Sequence, residues 1–286
     1  MTRTICPVVL VHGWNSHPGI WNRLVPVLKE SEIPVWSFDH SGLKDALPEE
    51  SAVSLLDFIR LKRRETRYTG PLDLICHSMG TGIGRYLIEI LDRKERAEEI
   101  RQLIGIGPPN NGSALAQLFS DPELGPRIIH TLEGVFVPKG FSPEDDVIVQ
   151  EFRPGSRTMR DLKQAGIRED VTYRILAAAN QTRDPAFFPW FEGKTWETGP
   201  GRSWQLTYAG DGVVANSESA LPGINPEIIA NRSMASGIKP NQYCHILLPR
   251  SPEIIQKIHY YVENTGPERK SGIRSGNTGQ LPEARQ

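Results

Sequence analysis

The chain has 286 residues, of which 38% are hydrophobic and 23% charged, enough apolar material for one substantial core. Its 33 basic and 34 acidic residues leave a formal net charge of -1, which removes the electrostatic basis for binding nucleic acid or an anionic membrane. No apolar run approaches the roughly 20 residues that span a bilayer, and the odd cysteine count (Cys6, Cys76, Cys244) does not suggest a secreted disulfide framework.

In chain order, residues 5–11 read as a buried strand that follows Met1-Thr2-Arg3-Thr4 without a charged-then-apolar leader, so a cytoplasmic location is expected. Ile20, Leu24, Val27 and Leu28 recur at helical spacing and predict a helix over 18–30. Pro34 to Asp39 is a second strand, and the apolar periodicity from Ser51 to Leu61 a second helix. Pro71 to Ile75 is a third strand, residues 79–93 a third helix, and Ile100 to Ile106 a fourth strand. This alternation predicts a mostly parallel sheet with helices on both faces. Between about 113 and 170, Pro and Gly recur and only short amphipathic pieces remain. Strand character returns at Val171 to Ala178 and at Trp204 to Tyr208, and Pro252 to Val262 is a closing helix. The loop 180–203 carries Phe187, Phe188, Trp190, Phe191 and Trp196, either an apolar lip for an acyl chain or lipid, or ordinary packing against the sheet. From Thr265 the chain is Gly-, Ser-, Pro- and charge-rich, and 265–286 is expected to be a disordered tail.

The segment Leu74-Ile75-Cys76-His77-Ser78-Met79-Gly80 joins the third strand to the third helix by an abrupt turn with a serine on it. Such a turn strains the serine backbone and lifts Oγ clear of the sheet; small residues two before and two after let strand and helix pass closely. Gly80 fills the second position, and Cys76 stands where glycine is usual in the first. A serine hydroxyl needs a base and an acid, expected later in the order acid, then His. Asp211 lies in the turn Gly210-Asp211-Gly212-Val213-Val214, with Glu218, Asp184 and Asp170 in reserve. His245 sits in a loop before the closing helix; His259, the other histidine beyond Asp211, lies inside that helix. The strand Val8-Val9-Leu10-Val11 runs into His12-Gly13-Trp14, a turn able to aim a backbone N–H at a carbonyl oxygen; the second donor is the N–H of Met79. His12 and His77 read as structural. No phosphate-binding glycine loop and no metal-spaced His/Cys cluster occurs, so no cofactor and no metal is expected.

The ordered segments Val9 to Trp14, His77-Ser78-Met79-Gly80 through Leu87, Gly210 to Val214 and His245, with the loop Gly107-Pro108-Pro109-Asn110-Asn111-Gly112-Ser113, resemble the α/β-hydrolase superfamily and within it bacterial lipases and esterases. The likeness runs from about residue 5 to 262. It implies an α/β-hydrolase core of residues 1–112 and 171–264, a cap or lid inserted at 113–170, and a serine carboxylic-ester hydrolase acting through Ser78, Asp211 and His245. The backbone N–H groups of Trp14 and Met79 would form the oxyanion hole. The substrate would be a small-molecule ester or lipid with an apolar acyl group, and the partners would include a transient contact with a lipid interface. The same scaffold hosts thioesterases and acyltransferases, and a non-catalytic binding protein is a third alternative.

Overall fold

A computed structural model of the chain describes residues 6–43, 45–230 and 239–264; the tail expected over 265–286 lies outside the described residues. The first strand, β1 (Val8–Val11), is apolar at every position because both its faces are covered. Val8 and Leu10 enter one packed layer, Val9 and Val11 the other, following the two-residue period of a strand. β1 pairs in parallel with β2 (Val35–Phe38) on one side and with β3 (Leu72–His77) on the other. Beyond β3 come β4 (Ile100–Ile106), β5 (Thr172–Ala179) and, at the far edge, β8 (Glu227–Ala230), all parallel. On the face of Val8 pack α1 (Leu24–Glu30), through Leu24 and Leu28, and α9 (Pro252–Asn264), through Ile254, Ile255 and Ile258. On the face of Val9 pack α2 (Pro48–Thr66) and α3 (Met79–Tyr86). The chain steps outward from β1 to β2 and then returns to place β3 on the other side. The carboxyl ends of β1 and β3 therefore flank the point where winding reverses, which is where open α/β sheets present functional groups.

Four details differ from the pattern predicted by periodicity. The helix expected over 18–30 divides into a 3-10 turn, Pro18–Trp21, and α1. The third helix ends as α3 at Tyr86 and continues as a π turn, Leu87–Leu91. The strand before Asp211, β7 (Trp204–Thr207), is not in the main sheet; it pairs antiparallel with β6 (Thr195–Thr198) as a separate hairpin. Gln205 and Leu206 of β7 are exposed, a pattern no central parallel strand could carry. The sixth strand of the main sheet is instead β8, four residues that follow Asp211 and were too short to stand out.

Residues 113–170 hold the short helices α4 (Ala114–Leu118), α5 (Gly125–Leu132), α6 (Val147–Glu151) and α7 (Arg157–Ala165). The segment is anchored in both layers, Leu115, Leu118 and Leu132 in one and Phe152, Met159 and Leu162 in the other. The main chain then resumes at β5, and α8 (Asn216–Ser219) follows the Asp211 turn. Among the described residues no helix is long and apolar enough to cross a membrane.

Candidate active site

Ser78 stands between β3 and α3 with φ 54° and ψ -129°, a left-handed conformation that a non-glycine residue holds only when its surroundings enforce it. The enforcement is close approach. A Cβ on Gly80 would run into His12 O and lie 2.7 Å from Val11 O, so α3 can start against the end of β1 only with glycine there. A Cβ on Gly13 would come within 3.0 Å of Ser78 Cβ. Cys76 is tolerated in the other small position because Gly84 opposes it; a Cβ there would lie 2.9 Å from Cys76 Sγ.

His245 arrives after the 3-10 turn Pro240–Tyr243 and is almost completely buried. Its Nδ1–H donates to Asp211 Oδ2 at 2.7 Å, which leaves Nε2 as the acceptor for the Ser78 hydroxyl at 2.9 Å. The second carboxylate oxygen of Asp211 accepts the N–H groups of Val213 at 3.0 Å and Val214 at 2.7 Å, and the Asp211 carbonyl accepts His245 N–H at 2.8 Å. Each oxygen of the buried carboxylate is thus aimed, one at the imidazole and one at its own turn.

That turn depends on distant parts of the chain. Thr195 Oγ1, from β6, accepts Gly212 N–H at 2.8 Å. Gly212 has φ +96°, and a Cβ on it would lie 2.6 Å from Phe188 Cδ2. Phe188 and Phe187 are fully buried and Phe191 nearly so, while Trp190 stays exposed. Of the two readings of the aromatic loop, packing therefore accounts for these three phenylalanines, and Phe188 packs against the Asp211 turn at Gly212. The reserve carboxylates are engaged elsewhere. Asp170 pairs with Arg168, Asp184 caps the 3-10 turn Pro185–Phe187, and Glu218 Oε1 accepts Ala114 N–H. His259 lies on α9 with Nε2 2.6 Å from Ser31 Oγ.

His12 and His77 hold backbone in place. His77 Nε2–H donates to His245 O at 3.1 Å, tying the end of β3 to the loop that carries His245. Burial pushes its pKa well below the ordinary value, with His245 nearby adding to the effect. His12 and His40 stack at 3.8 Å; His40 N–H donates to His12 Nε2 and His40 Nε2–H to His12 O. Burial lowers the pKa of both, that of His40 to about 4.

Ser78 opens into a narrow pocket of about 50 Å³ whose wall includes Trp14, Met79, Leu115, Phe119, Phe136 and Val149. Met79 is the first residue of α3, and the opening N–H groups of a helix have no intrahelical acceptor. Phe136 turns the edge of its ring on His245 at 5.9 Å, and its carbonyl accepts Asn15 Nδ2–H at 3.2 Å. Trp14 Nε1–H donates to Asp146 Oδ2 at 3.0 Å, while Asp146 Oδ1 caps α6 through Val149 N–H.

Sequence reasoning named Gly107 only as the start of the loop 107–113, without its contact with Asp211, and did not single out Phe136 or Asp146. Gly107 has φ +55°, and a Cβ there would lie 2.7 Å from Asp211 Oδ2 and 3.2 Å from His245 Nδ1. The Asp211–His245 bond occupies the place of its side chain. Its signal was a glycine at the end of an apolar strand; the other two carry no local signal. Among the described residues no group of His, Cys, Asp and Glu is arranged to hold a metal ion.

A family model described as "Domain of unknown function (DUF7379)" matches residues 7–131, short of half the chain. No curated protein matches the sequence. Among solved structures, the mature lipase BlEst2 of Bacillus licheniformis is similar, with 16% identity, a TM-score of 0.64, and coverage of 90% of this chain and 92% of that one. The phospholipase PlaB of Legionella pneumophila has 16% identity and a TM-score of 0.55, over 91% of this chain and 63% of that one. A monoacylglycerol lipase of Paleococcus ferrophilus has 14% identity and a TM-score of 0.52, over 93% and 98%. The chain has the α/β-hydrolase fold.

Proposed function

We propose that this chain is a serine carboxylic-ester hydrolase of the lipase or esterase type, acting on esters of apolar acids. The observation that carries this reading is the buried line Asp211–His245–Ser78, hydrogen-bonded at 2.7 and 2.9 Å and ending in an apolar pocket. His245 Nε2 takes the hydroxyl proton as Ser78 Oγ attacks the ester carbonyl, and Asp211 fixes the imidazole tautomer and stabilises the imidazolium. The N–H groups of Trp14 and Met79 receive the oxyanion, an effect on the order of 3 kcal/mol for each donor. Collapse of the tetrahedral intermediate breaks the C–O bond, and the alcohol leaves with the proton from His245. Water then attacks the acyl-enzyme, giving its proton to His245, and the acid departs as Ser78 regains its hydrogen.

In this reading residues 1–112 and 171–264 are the catalytic core, and 113–170 is the cap that supplies Phe119, Phe136 and Val149 to the acyl pocket. The lipase and phospholipase neighbours make an ester or lipid substrate the natural expectation. A cytoplasmic setting fits Cys6, Cys76 and Cys244, which form no disulfide.

The test is the initial rate on p-nitrophenyl esters from acetate to palmitate, with wild type and Ser78→Ala side by side. Wild type should hydrolyse these esters, with rates peaking at medium or long chains for a lipase-like enzyme and confined to acetate and butyrate for a small-ester esterase, and with at least a ~1,000-fold loss in Ser78→Ala at unchanged melting temperature. Near-native rates in Ser78→Ala would overturn the assignment. So would a folded wild type inert to every chain length and to a fluorophosphonate probe.

A further inference from the structure

Residues 107–113, which join β4 to α4, reach each part of the proposed site. Gly107 abuts Asp211 and His245, and Pro109 and Ser113 line the pocket at Ser78. Asn110 and Asn111 lie between these points and are not in the pocket wall. Their bonds run instead to α3, which starts after Ser78, and to α8, which follows Asp211.

On one side, Arg85 of α3 donates from Nη1 to the Asn110 carbonyl at 3.1 Å and to Asn110 Oδ1 at 3.4 Å. The guanidinium is aimed by Glu89, one turn further on, which accepts Nε–H and Nη2–H at 2.9 Å each in a bidentate pair. On the other side, Asn110 Nδ2–H donates to Ser219 O at 2.6 Å. Asn111 donates from its backbone to Glu218 O at 2.9 Å and from Nδ2 to Ala220 O at 2.9 Å. These carbonyls close a four-residue helix and have no intrahelical donor to meet them. Arg85, Glu89, Asn110 and Ser219 are all buried. A buried ion pair is a poor way to gain stability, since apolar side chains of similar volume hold a fold at least as well. What this pair supplies is direction: it points one guanidinium edge at one carbonyl.

We propose that Arg85 and Asn110 are positioning residues for the Ser78–His245–Asp211 line: together they fix α3 against α8. The inference rests on the hydrolase reading above and adds to it two residues that act through others.

The path from α8 to Asp211 is short. Asn216 N–H donates to Ala209 O and Asp211 N–H to Val214 O, so helix and turn form one closed unit. A shift of α8 relative to α3 therefore changes the span that His245 bridges, 2.7 Å to Asp211 and 2.9 Å to Ser78. A misplacement of roughly 1 Å can cost about 100-fold in rate, so partial loosening should cost about tenfold.

The experiment measures kcat, KM and melting temperature for Asn110→Ala, for the double variant Arg85→Met/Glu89→Leu, and for the triple variant that combines them. The double variant removes both charges, leaves neither buried alone, and should melt close to wild type. On the p-nitrophenyl ester that wild type cleaves fastest, Asn110→Ala and the double variant should each lower kcat about tenfold, with KM changed less than about twofold. The triple variant should be no slower than the slower of the two, because both cut one link in series. The proposal is overturned if kcat stays within about twofold of wild type in either, whatever the melting temperature, or if the losses multiply in the triple variant. Should one of these not fold, Asn110→Asp decides. It keeps the shape and an oxygen for Arg85 but has no N–H for Ser219 O, so near-native kcat in it also overturns the proposal. Failure of the hydrolase reading is a different result: wild type cleaves no ester and Ser78 resists fluorophosphonate labelling, and the positioning role then falls with it.

Discussion

The turn of the proposed nucleophile, Ser78, and the turn of the proposed acid, Asp211, meet at one histidine but are built in opposite ways. The Ser78 turn is set almost entirely by its own neighbours in the first eighty-odd residues: Gly80 against His12 O, Gly13 against Ser78 Cβ, Gly84 against Cys76. The Asp211 turn is set by parts of the chain that are remote from it or from one another, namely Thr195 on the hairpin, Phe188 in the aromatic loop, Gly107 after β4 and the His245 backbone. A local strained turn can be specified by small residues; a polar turn away from the main sheet has to be clamped by tertiary packing.

Two glycine substitutions test this division with the largest effects. Gly107→Ala places a methyl group 2.7 Å from Asp211 Oδ2 at φ +55°, so the Asp211–His245 bond must move. Loss of the acid's hold on the base corresponds to roughly 10³- to 10⁴-fold in kcat, with a stability cost of only about 1–2 kcal/mol for the left-handed alanine. Gly80→Ala drives a methyl into the His12 and Val11 carbonyls and should depress melting temperature and activity together. Rate constants and thermal melts of both variants check the contrast. If Gly107→Ala lost stability as heavily as Gly80→Ala, the acid turn would be part of the folding core rather than a clamped attachment.

The same division explains what the residues alone could tell. The parallel sheet, the serine turn and the glycine-flanked aspartate are short-range patterns, and each is present where periodicity and turn chemistry expect it. The structure brings Ser78, Asp211 and His245 within hydrogen-bond reach, as the chain order Ser, Asp, His requires. The hairpin β6–β7 was not legible, because Trp204 to Tyr208 has the apolar content of a sheet strand and only its pairing shows otherwise. β8 is an edge strand of four residues whose identity comes from β5 beside it. Gly107, Asp146 and Phe136 act through contacts over a hundred residues long, which no local window contains.

Phe188→Ala gives the intermediate effect. Its ring is fully buried and fills the space over Gly212. Truncation should cost roughly 3–5 kcal/mol of stability, read as a lower urea midpoint. It should also lower kcat more than it raises KM, because the Asp211 turn that aims His245 loosens while Phe188 itself does not line the pocket at Ser78. Phe188→Leu, which refills most of the volume, should recover the larger part of both. A loss of stability with kcat unchanged would make Phe188 an ordinary core residue and break its link to the acid turn.

The smallest effect separates the two turns by pH. His40, packed on His12 at the nucleophile side, titrates near 4 in the folded chain because burial disfavours its charge, against an ordinary value of 6.5. Between these values the unfolded chain holds the extra proton, so stability falls as pH drops through the window, by roughly 3 kcal/mol once fully below it. His12, lowered for the same reason, adds in the same direction. Glu218, on α8 behind the acid turn, has the opposite sign. Burial raises its pKa well above the ordinary carboxylate value, with the Asp211 charge nearby adding to the effect, and its Oε2 has no hydrogen-bond partner. Its contribution is complete below the unfolded carboxylate range and is lost as pH rises toward the folded pKa. Urea midpoints at pH 4.5, 6 and 8 should therefore show His40→Gln flattening the acid limb. Glu218→Gln, neutral at every pH, should gain on wild type most at pH 8 and least at 4.5. Identical acid limbs in wild type and His40→Gln would mean that the stacked pair does not hold the loop after β1 through its neutrality. The His12 carbonyl contact with Gly80 would then carry that role alone.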